Sequence, residues 1–596
     1  MWEPVSFLSI PSMKEFADAV VPSGASISGD PMRCLALSLR FLVLGVGFPL
    51  LAAECPPADV ILSNGHIITM DGERRVASAL AIRDARIEAI GTNQEVTACE
   101  GTSTRKVDLK GQTVLPGFID VHTHAILWAK SIVRGEIDAG YPVVHTIGEI
   151  QGAVAENART TKPGDWVRGS RWDDSKLTEH RYLSKDDLDA VAPTVPVYLM
   201  HISGHLAVAN RAALKAAGID RNTPDPPGGI IEHDASGEPT GIVKDNAMRL
   251  VEAKLPADAD DTAFRAVKVV SDQAAAVGLT TIHDVWGGGG LSSENLRAYQ
   301  DAYHRGLLKI RVQLAPGVAS LADAERLALS GVHTGFGDNH LKFGAVKMFA
   351  DGGMAARTIA IYPPGLQENG KENLGLQIWS PEEMQKAHRI LAGAGWQLST
   401  HAIGDRAIDE VITSYATVTR ELGLQQPRFR IIHCGVSTPA ILKRLHDEHV
   451  LVDGDPAFVY WIGSWFKNYG PQRERWAYPG KSYFDYGVVA AAGSDVPVTP
   501  ISPWWGLWAA VQRKNMNTGQ VLAPEERLSV LQALELFTRN PAYIGFEEKE
   551  KGSLETGKLA DFVVIDRDIL VVPSEQLKDV QVLQTWVGGE LVYEKH

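Results

Sequence analysis

The sequence predicts an α/β protein, a (β/α)8 (TIM) barrel that carries a β-rich insert and a small composite β-sandwich domain. Eight short apolar runs resemble strands, and helical patterns such as residues 263–277 and 381–394 separate them. Several runs end on a histidine or an aspartate, and reactive side chains at the carboxyl ends of strands are typical of a barrel. With 596 residues and 45% hydrophobic content, the chain is long enough for more than one domain.

The sandwich is predicted from two β-rich, glycine-punctuated segments, residues 54–115 and 546–596. In the first, Asn64-Gly65 is a turn dipeptide and predicts a hairpin within residues 59–70. Neither segment is large enough to fold well alone. We therefore predict that both termini join in one sandwich.

The region between them, residues 116–545, holds the predicted barrel. Its candidate strands end near His124, Asp284, Ala315, Phe349, His401, His433, Val452 and Gly493. A further strand-like run at residues 195–200 does not fit this count. We assign it to an inserted subdomain at residues 132–250, whose glycine- and proline-rich turns predict a β-rich cap over the barrel mouth.

The first of these strands ends on two histidines, His122 and His124. Residues two apart on a strand share a face, so both imidazoles can approach one cation. The alternative is one core histidine and one surface histidine. Later apolar runs end on His401, His433 and Asp495, and residues 344–351 embed Lys347 where an apolar residue is expected.

Each later residue also has an ordinary explanation. The histidines could be hydrogen-bonded in the core, Asp495 could cap a turn, and Lys347 could pair with Asp351 or reach water. Repetition of the same pattern favours one shared metal site, because imidazole and carboxylate suit zinc or a similar divalent ion.

The order HxH, Lys, His, His, Asp resembles the metal-dependent amidohydrolase superfamily. Residues 347–352, 400–405 and 493–495 resemble its family 3, the branch that includes the YtcJ-like proteins and N-substituted formamide deformylase. The resemblance runs from Ala58 to the carboxyl terminus. It implies the same barrel and composite domain, with ligands on the first, fourth, fifth, sixth and eighth strands.

The resemblance also implies a ligand set. His122, His124 and Asp495 would hold one metal, His401 and His433 a second, and a carbamylated Lys347 would bridge the two. We predict two Zn²⁺ per chain, although some relatives use one metal. A metal-bound hydroxide would attack the substrate carbonyl, with Asp495 as general base and then general acid.

Substrate contacts are predicted more weakly. His205 resembles a family histidine that reaches the substrate from the insert, where it would steady the carbonyl or its oxyanion. Arg357 would pair with Asp351 or with a substrate carboxylate, while Trp128 and Trp286 would line an aromatic pocket. The alternatives are structural roles for all four. The branch usually has arginine where His201 stands and Ser-Leu-Gly at residues 353–355, so the substrate of a relative does not transfer.

These residues predict a metal-dependent hydrolase that cleaves the C–N bond of a small amide, N-acyl or N-formyl compound. Hydrolysis of an ester, lactone or cyclic amide would use the same chemistry. A catalytically silent metal- or ligand-binding protein is the alternative of another class, and the intact ligand set argues against it. The net charge of −14 and the absence of a basic run argue against nucleic-acid binding. The resemblance suggests a homodimer.

The amino terminus predicts export. Residues 1–53 read as a non-mature leader, with Met32 as the start of a signal peptide that has a basic region, an apolar run at residues 41–51 and a small-residue exit. The run is short for a membrane span, so we expect no stable membrane insertion after cleavage and a periplasmic or secreted protein. An uncleaved anchor is the alternative.

Export permits disulfides. Cys55 and Cys99 flank the same β-rich region and are predicted to pair, whereas Cys434 is predicted to be a buried free thiol. Residues 287–290 are four glycines after a strand end and predict a flexible loop near the site.

Overall fold

The computed structural model describes residues 55–286, 292–368 and 370–595. The predicted leader at residues 1–53 and the glycine loop at residues 287–290 lie outside these ranges. Within them, no helix is both long and apolar enough to cross a bilayer.

Strands from both ends of the chain share one sheet. Phe562–Ile565 pairs antiparallel with Thr113–Pro116, and the order of the six strands is Glu590–Glu594, Val582–Val587, Phe562–Ile565, Thr113–Pro116, His66–Ile68 and Val76–Ala77. A four-stranded sheet has the order Arg86–Gly91, Ala79–Arg83, Val60–Ser63 and Arg105–Asp108. Buried side chains of both sheets, including Leu62, Leu80, Val114 and Phe562, form one apolar cluster.

The hairpin predicted at Asn64-Gly65 is wrong. Val60–Ser63 pairs with Ala79–Arg83 and Arg105–Asp108, whereas His66–Ile68 joins the other sheet. The turn therefore carries the chain from one sheet to the next. Asn64 adopts a φ of 57°, as the dipeptide favours, but the neighbouring strands find partners far along the sequence.

Eight parallel strands make up the central region, and we number them β1 to β8. They are Phe118–Thr123, Leu279–Val285, Arg311–Ala315, Val346–Phe349, Leu398–Ala402, Arg430–His433, Leu451–Gly454 and Ala490–Ala492. Strands β1 to β3 and the short strand Leu341–Phe343 form one sheet, and β4 to β8 form another. Every predicted strand end is thus matched by a strand.

Backbone hydrogen bonds connect the two sheets at both of their junctions, after β3 and after β8. Lys347 in β4 donates to Pro316 at 2.8 Å and accepts from Val318 at 2.8 Å. After β8, Asp495 donates to His122 at 2.8 Å. The carboxyl ends of β1 and β8 are therefore held side by side.

A six-stranded sheet lies in the segment predicted as an insert. Its order is Gly229–His233, Pro239–Asp245, Leu206–Ala209, Val197–His201, Val167–Trp172 and Ile137–Asp138. The run at residues 195–200 belongs to this sheet, as predicted. An exposed two-stranded hairpin, Leu366–Glu368 with Lys371–Asn373, follows β4.

Helices alternate with the parallel strands, and several begin at side-chain caps. Ser380 accepts from the backbone N–H of Glu383 and is followed by Pro381, a favoured first helical residue. The α-helices are Asn93–Thr97, Ala125–Arg134, Ile147–Thr160, Lys185–Asp189, Arg211–Ala217, Met248–Glu252, Thr262–Ala276, Ser293–His304, Leu321–Leu329, Pro381–Gly393, Asp405–Glu421, Pro439–Asp447, Phe458–Trp461, Pro471–Arg475, Lys481–Asp485, Pro503–Gln512, Val530–Phe537 and Arg539–Ile544. Short 3₁₀ helices span Gly463–Tyr469, Pro524–Glu526 and Ser574–Asp579.

The cysteines behave as predicted. Cys55 and Cys99 form a disulfide, and Cys434 is a buried free thiol. Burial raises the pKa of Cys434 to about 12, so it remains protonated at neutral pH.

A buried ion pair links the parallel strands to the terminal sheet. Arg311 in β3 donates two hydrogen bonds, of 2.7 and 2.9 Å, to the carboxylate of Asp561. Burial raises the pKa of a carboxyl, but Arg311 holds the pKa of Asp561 below its usual range. The side chains are only 7% and 2% exposed, so neither charge can turn to water instead.

We expect Arg311→Ala to lower the free energy of unfolding by about 3–5 kcal/mol, because it leaves Asp561 buried without its partner. Lys481→Ala, which breaks a half-exposed ion pair with Asp485, is the control and should cost less than about 1 kcal/mol. Urea unfolding followed by tryptophan fluorescence measures both. Equal losses would contradict a structural role for the buried pair.

Candidate metal centre

Three predicted ligands converge where β1 and β8 end. One carboxylate oxygen of Asp495 lies 3.1 Å from Nε2 of His122 and 3.3 Å from Nε2 of His124. One potential ligand atom from each residue lies within 4.8 Å of the other two. The pair of histidines and the distant aspartate therefore form one potential metal site, as the HxH pattern predicts.

The backbone around this group is held by Asp120. Its carboxylate accepts the backbone N–H groups of His122, at 3.1 Å, and Ser494, at 3.1 Å. Gly493 makes the close approach possible, because a Cβ at that position would lie 2.7 Å from Cβ of His122. Burial raises the pKa of Asp120 to about 7.

The imidazoles of His401 and His433 lie next to the group formed by His122, His124 and Asp495. Their ring centroids are 4.6 Å apart, and the His433 ring is 5.1 Å from that of His122. These residues end β5 and β6, next to each other in the sheet. The second predicted pair is therefore adjacent to the first group.

In three of the histidines, one ring nitrogen donates a hydrogen bond to an oxygen atom, so the other ring nitrogen carries the lone pair that could bind a metal. His124 donates from Nδ1 to the Val285 carbonyl at 2.9 Å, and His433 from Nδ1 to the Asp455 carboxylate at 2.6 Å. His401 donates from Nε2 to the Gly352 carbonyl at 3.2 Å. The lone pairs left are Nε2 of His124 and His433 and Nδ1 of His401. Such outer hydrogen bonds are usual for metal-binding histidines.

Lys347 lies in the same cluster and is fully buried. Its Nζ has no hydrogen-bond partner among the described residues and lies 4.4 Å from the Phe349 ring centroid. Burial lowers its pKa to about 7, so a large fraction is a neutral amine near neutral pH. The alternative pairing of Lys347 with Asp351 is wrong, because Asp351 accepts backbone N–H groups instead, from Ala360, Ile403 and Gly404.

The electrostatics of the group fit a divalent cation. Burial lowers the pKa of His122 to about 3 and the pKa values of His401 and His433 well below the usual range, so these imidazoles are neutral. Burial opposes ionisation of Asp495, but in the acidic range where it titrates the protonated His122 holds the pKa of Asp495 well below its usual range, so at neutral pH the carboxylate is ionised and the imidazole neutral. Both ring nitrogens of His122, Nδ1 of His401 and Oδ1 of Asp495 are buried without hydrogen bonds. Neutral imidazoles and an ionised carboxylate with free lone pairs are the donor set that zinc prefers.

A cavity of about 500 Å³ opens onto this cluster. His205 and Trp128 line it, as predicted, together with Trp379 and apolar residues of the insert such as Met200 and Ile202. Its size is that of a site for a small organic molecule. Nδ1 of His205 lies 2.7 Å from the carboxylate of Asp245, which also lines the cavity.

Two residues predicted to contact substrate, Arg357 and Trp286, are not among those that line the cavity. Arg357 does not pair with Asp351; it donates to Glu368 at 2.9 Å, is half exposed and is not among the cavity-lining residues. Trp286 is buried and donates to Asp284 at 3.1 Å, so it packs in the core. In both cases the polar group donates to an acidic side chain, Glu368 or Asp284, and not into the cavity.

The sequence reasoning missed Asp455, Asp245 and Trp379. Asp455 follows the end of β7 directly and Asp245 ends a strand of the insert, so both share the pattern that identified the ligands. Trp379 lies in the loop after β4 and has no comparable signal.

The chain is similar to several known proteins. YtcJ of Bacillus subtilis (strain 168) is 31% identical over 542 residues, covering 90% of this chain and 99% of that protein. N-substituted formamide deformylase of Arthrobacter pascens is 30% identical over 546 residues, covering 90% of this chain and 98% of that enzyme. The crystal structure of an uncharacterised metal-dependent hydrolase from Pyrococcus horikoshii OT3 superposes with a TM-score of 0.68 at 24% identity, covering 86% of this chain and 99% of that one, and shows a shared fold.

The profile of the amidohydrolase family matches residues 105–593, which include every proposed metal ligand. The match spans most of the chain. This chain therefore belongs to the amidohydrolase family of hydrolases.

Proposed function

We propose that this chain is a metal-dependent hydrolase that cleaves the C–N bond of a small amide, most specifically an N-acyl or N-formyl compound. One observation carries the proposal: the imidazoles of His124, His401 and His433 line a cavity together with Lys347 and Asp495, and His122 lies directly beside them. Membership of the amidohydrolase family supports the reaction class, and the resemblance to a formamide deformylase supports the acyl group.

We also infer that β1 to β8 close into one (β/α)8 barrel. The parallel register within each sheet and the hydrogen bonds of Lys347 and Asp495 between the sheets support closure. A closed barrel explains why residues from strands far apart in sequence meet at one end, since the carboxyl ends of all strands then face one mouth.

His122, His124 and Asp495 would hold one divalent metal, and His401 and His433 a second. When bound, such metals supply a water of lowered pKa and polarise the substrate carbonyl. Asp495 is the group placed to move protons, because its carboxylate is ionised and borders the cavity. It would take a proton from the attacking water and deliver it to the nitrogen as the C–N bond breaks, so the amine leaves neutral.

Lys347 is suited to carbamylation. Only a neutral amine attacks carbon dioxide, and burial already favours that form of Lys347. The new N–C bond converts the amine into a carbamate anion with release of a proton. The carbamate would supply two oxygen lone-pair donors to the metals that the neighbouring histidines would hold, which an ammonium cannot do.

We propose that the protein is exported. The disulfide between Cys55 and Cys99 supports this, because disulfides persist in oxidising compartments. The signal-like pattern in residues 32–53 is the second support.

Protein purified without chelators should contain about two zinc ions per chain. Elemental analysis against amino-acid analysis measures this ratio. A ratio near one would favour a mononuclear site with a structural Lys347. Essentially no metal after addition of zinc and bicarbonate would instead favour a silent binding protein.

Asp495→Asn should reduce kcat for amide hydrolysis by about 10²–10⁴-fold, because the amide cannot accept and return a proton. Its circular dichroism spectrum and urea midpoint should stay near those of the wild type. The matched control is Asp485→Asn, which alters a half-exposed carboxylate outside the cavity. Full activity of Asp495→Asn would exclude Asp495 as the base.

Lys347→Ala should lose bound metal and activity, since the bridging carboxylate is gone while the histidines remain. Acetate or propionate should restore part of both by occupying the space of the missing side chain. Metal content and rate are measured over a series of carboxylate concentrations. Normal values for both without added carboxylate would rule out the carbamate.

A further inference from the structure

His205 and Asp245 form a hydrogen-bonded, largely shielded pair to which the proposed chemistry assigns no role. His205 stands directly before the strand Leu206–Ala209, and Asp245 ends the strand Pro239–Asp245 that pairs with it. The backbone N–H of Asp245 donates to the His205 carbonyl at 2.9 Å. Pairing of the two strands therefore brings the side chains together at one end of these two inner strands, with Nδ1 of His205 2.7 Å from a carboxylate oxygen of Asp245.

The position of the hydrogen follows from the donor types. An ionised carboxylate only accepts hydrogen bonds, so the hydrogen between the two groups belongs to Nδ1 of His205. In the neutral imidazole, Nε2 then carries a lone pair and is an acceptor. Nε2 makes no hydrogen bond to any described residue, while His205 lines the cavity with Lys347, His401 and Asp495.

Packing holds the pair in this position. A Cβ on Gly353 would lie 2.8 Å from the His205 ring, and a Cβ on Gly352 would lie 2.8 Å from a carboxylate oxygen of Asp245. The loop after β4 therefore contacts the pair with bare backbone. The side chain of Asp245 is only 2% exposed, so water cannot readily replace it as the partner of His205.

We propose that Asp245 is a positioning residue that keeps the hydrogen of His205 on Nδ1, so that Nε2 accepts a hydrogen bond from the substrate's amide N–H. This inference rests on the proposed function. It names secondary amides as the substrate class, because N,N-disubstituted amides and esters have no N–H to offer. It also reverses the role expected from the sequence, since Nε2 of the neutral ring cannot donate to a carbonyl or oxyanion.

The tautomer can be measured without turnover. In protein labelled with ¹⁵N-histidine, the long-range ¹H–¹⁵N spectrum distinguishes protonated from unprotonated ring nitrogens, and the His205 signals are those missing from His205→Gln. We expect a protonated Nδ1 and an unprotonated Nε2 in the wild type, and loss of that pattern in Asp245→Asn. A protonated Nε2 in the neutral wild-type ring would overturn the proposal.

Kinetics test the substrate class with N-(2-phenylethyl)formamide, its N-methyl derivative and 2-phenylethyl formate. The ratio of kcat/KM for the secondary amide to that for the N-methyl amide should fall at least about tenfold in Asp245→Asn, as for loss of one hydrogen bond. Asp260→Asn, a change at an exposed residue that does not line the cavity, should leave the ratio unchanged.

A double-mutant cycle separates positioning from a general structural effect. In a His205→Gln background, Asp245→Asn should change the ratio no further, because Asp245 acts through His205. An undiminished effect there, or an unchanged ratio in Asp245→Asn alone, would overturn the proposal. If the wild type hydrolyses none of the three compounds, the proposed function fails, and the spectrum alone then decides whether Asp245 sets the tautomer.

Discussion

The structure depends on burying polar and ionisable side chains at the carboxyl ends of parallel strands. Such burial is costly unless each group has a partner or becomes neutral. Here burial lowers the pKa values of His122 and Lys347 and so leaves both free to offer lone pairs. The pKa of Asp495 lies well below its usual range, so its carboxylate stays ionised. The chemistry of the site is a consequence of this environment rather than of any single residue.

A second set of residues maintains that environment. Asp120 holds the ends of β1 and β8 together, and Asp455 orients the His433 ring. Further into the strands, Arg430 is 3.2 Å from Nδ1 of His283 and 3.3 Å from a carboxylate oxygen of Asp453. These contacts are polar and buried, so a substitution in one of them leaves another group unsatisfied. The ligand positions are therefore rigid, as a preorganised metal site requires.

The insert and the loop after β4 complete the site on the substrate side. The insert supplies His205 and Asp245, and the loop supplies the glycines against which that pair packs. Arg357 and Trp286, which the sequence predicts to contact substrate, instead donate hydrogen bonds to Glu368 and Asp284. Family resemblance alone does not identify such partners, because they depend on which side chains the fold brings within hydrogen-bond distance.

The sequence by itself determined where the parallel strands end and which residue types stand there, because alternation, run length and residue type are local properties of the chain. The pairing of Cys55 with Cys99 was also predictable, because both cysteines flank one small β-rich region. Only the tertiary structure decided that the two strands around Asn64-Gly65 enter different sheets, since each pairs with residues distant in sequence. The tertiary structure also decided the tautomers of His433, His124 and His401, which depend on hydrogen bonds to Asp455, Val285 and Gly352. It likewise brought His205 and Asp245 within hydrogen-bond distance. Hydrogen-bond partners between elements that are far apart in the chain leave no periodic signal in it.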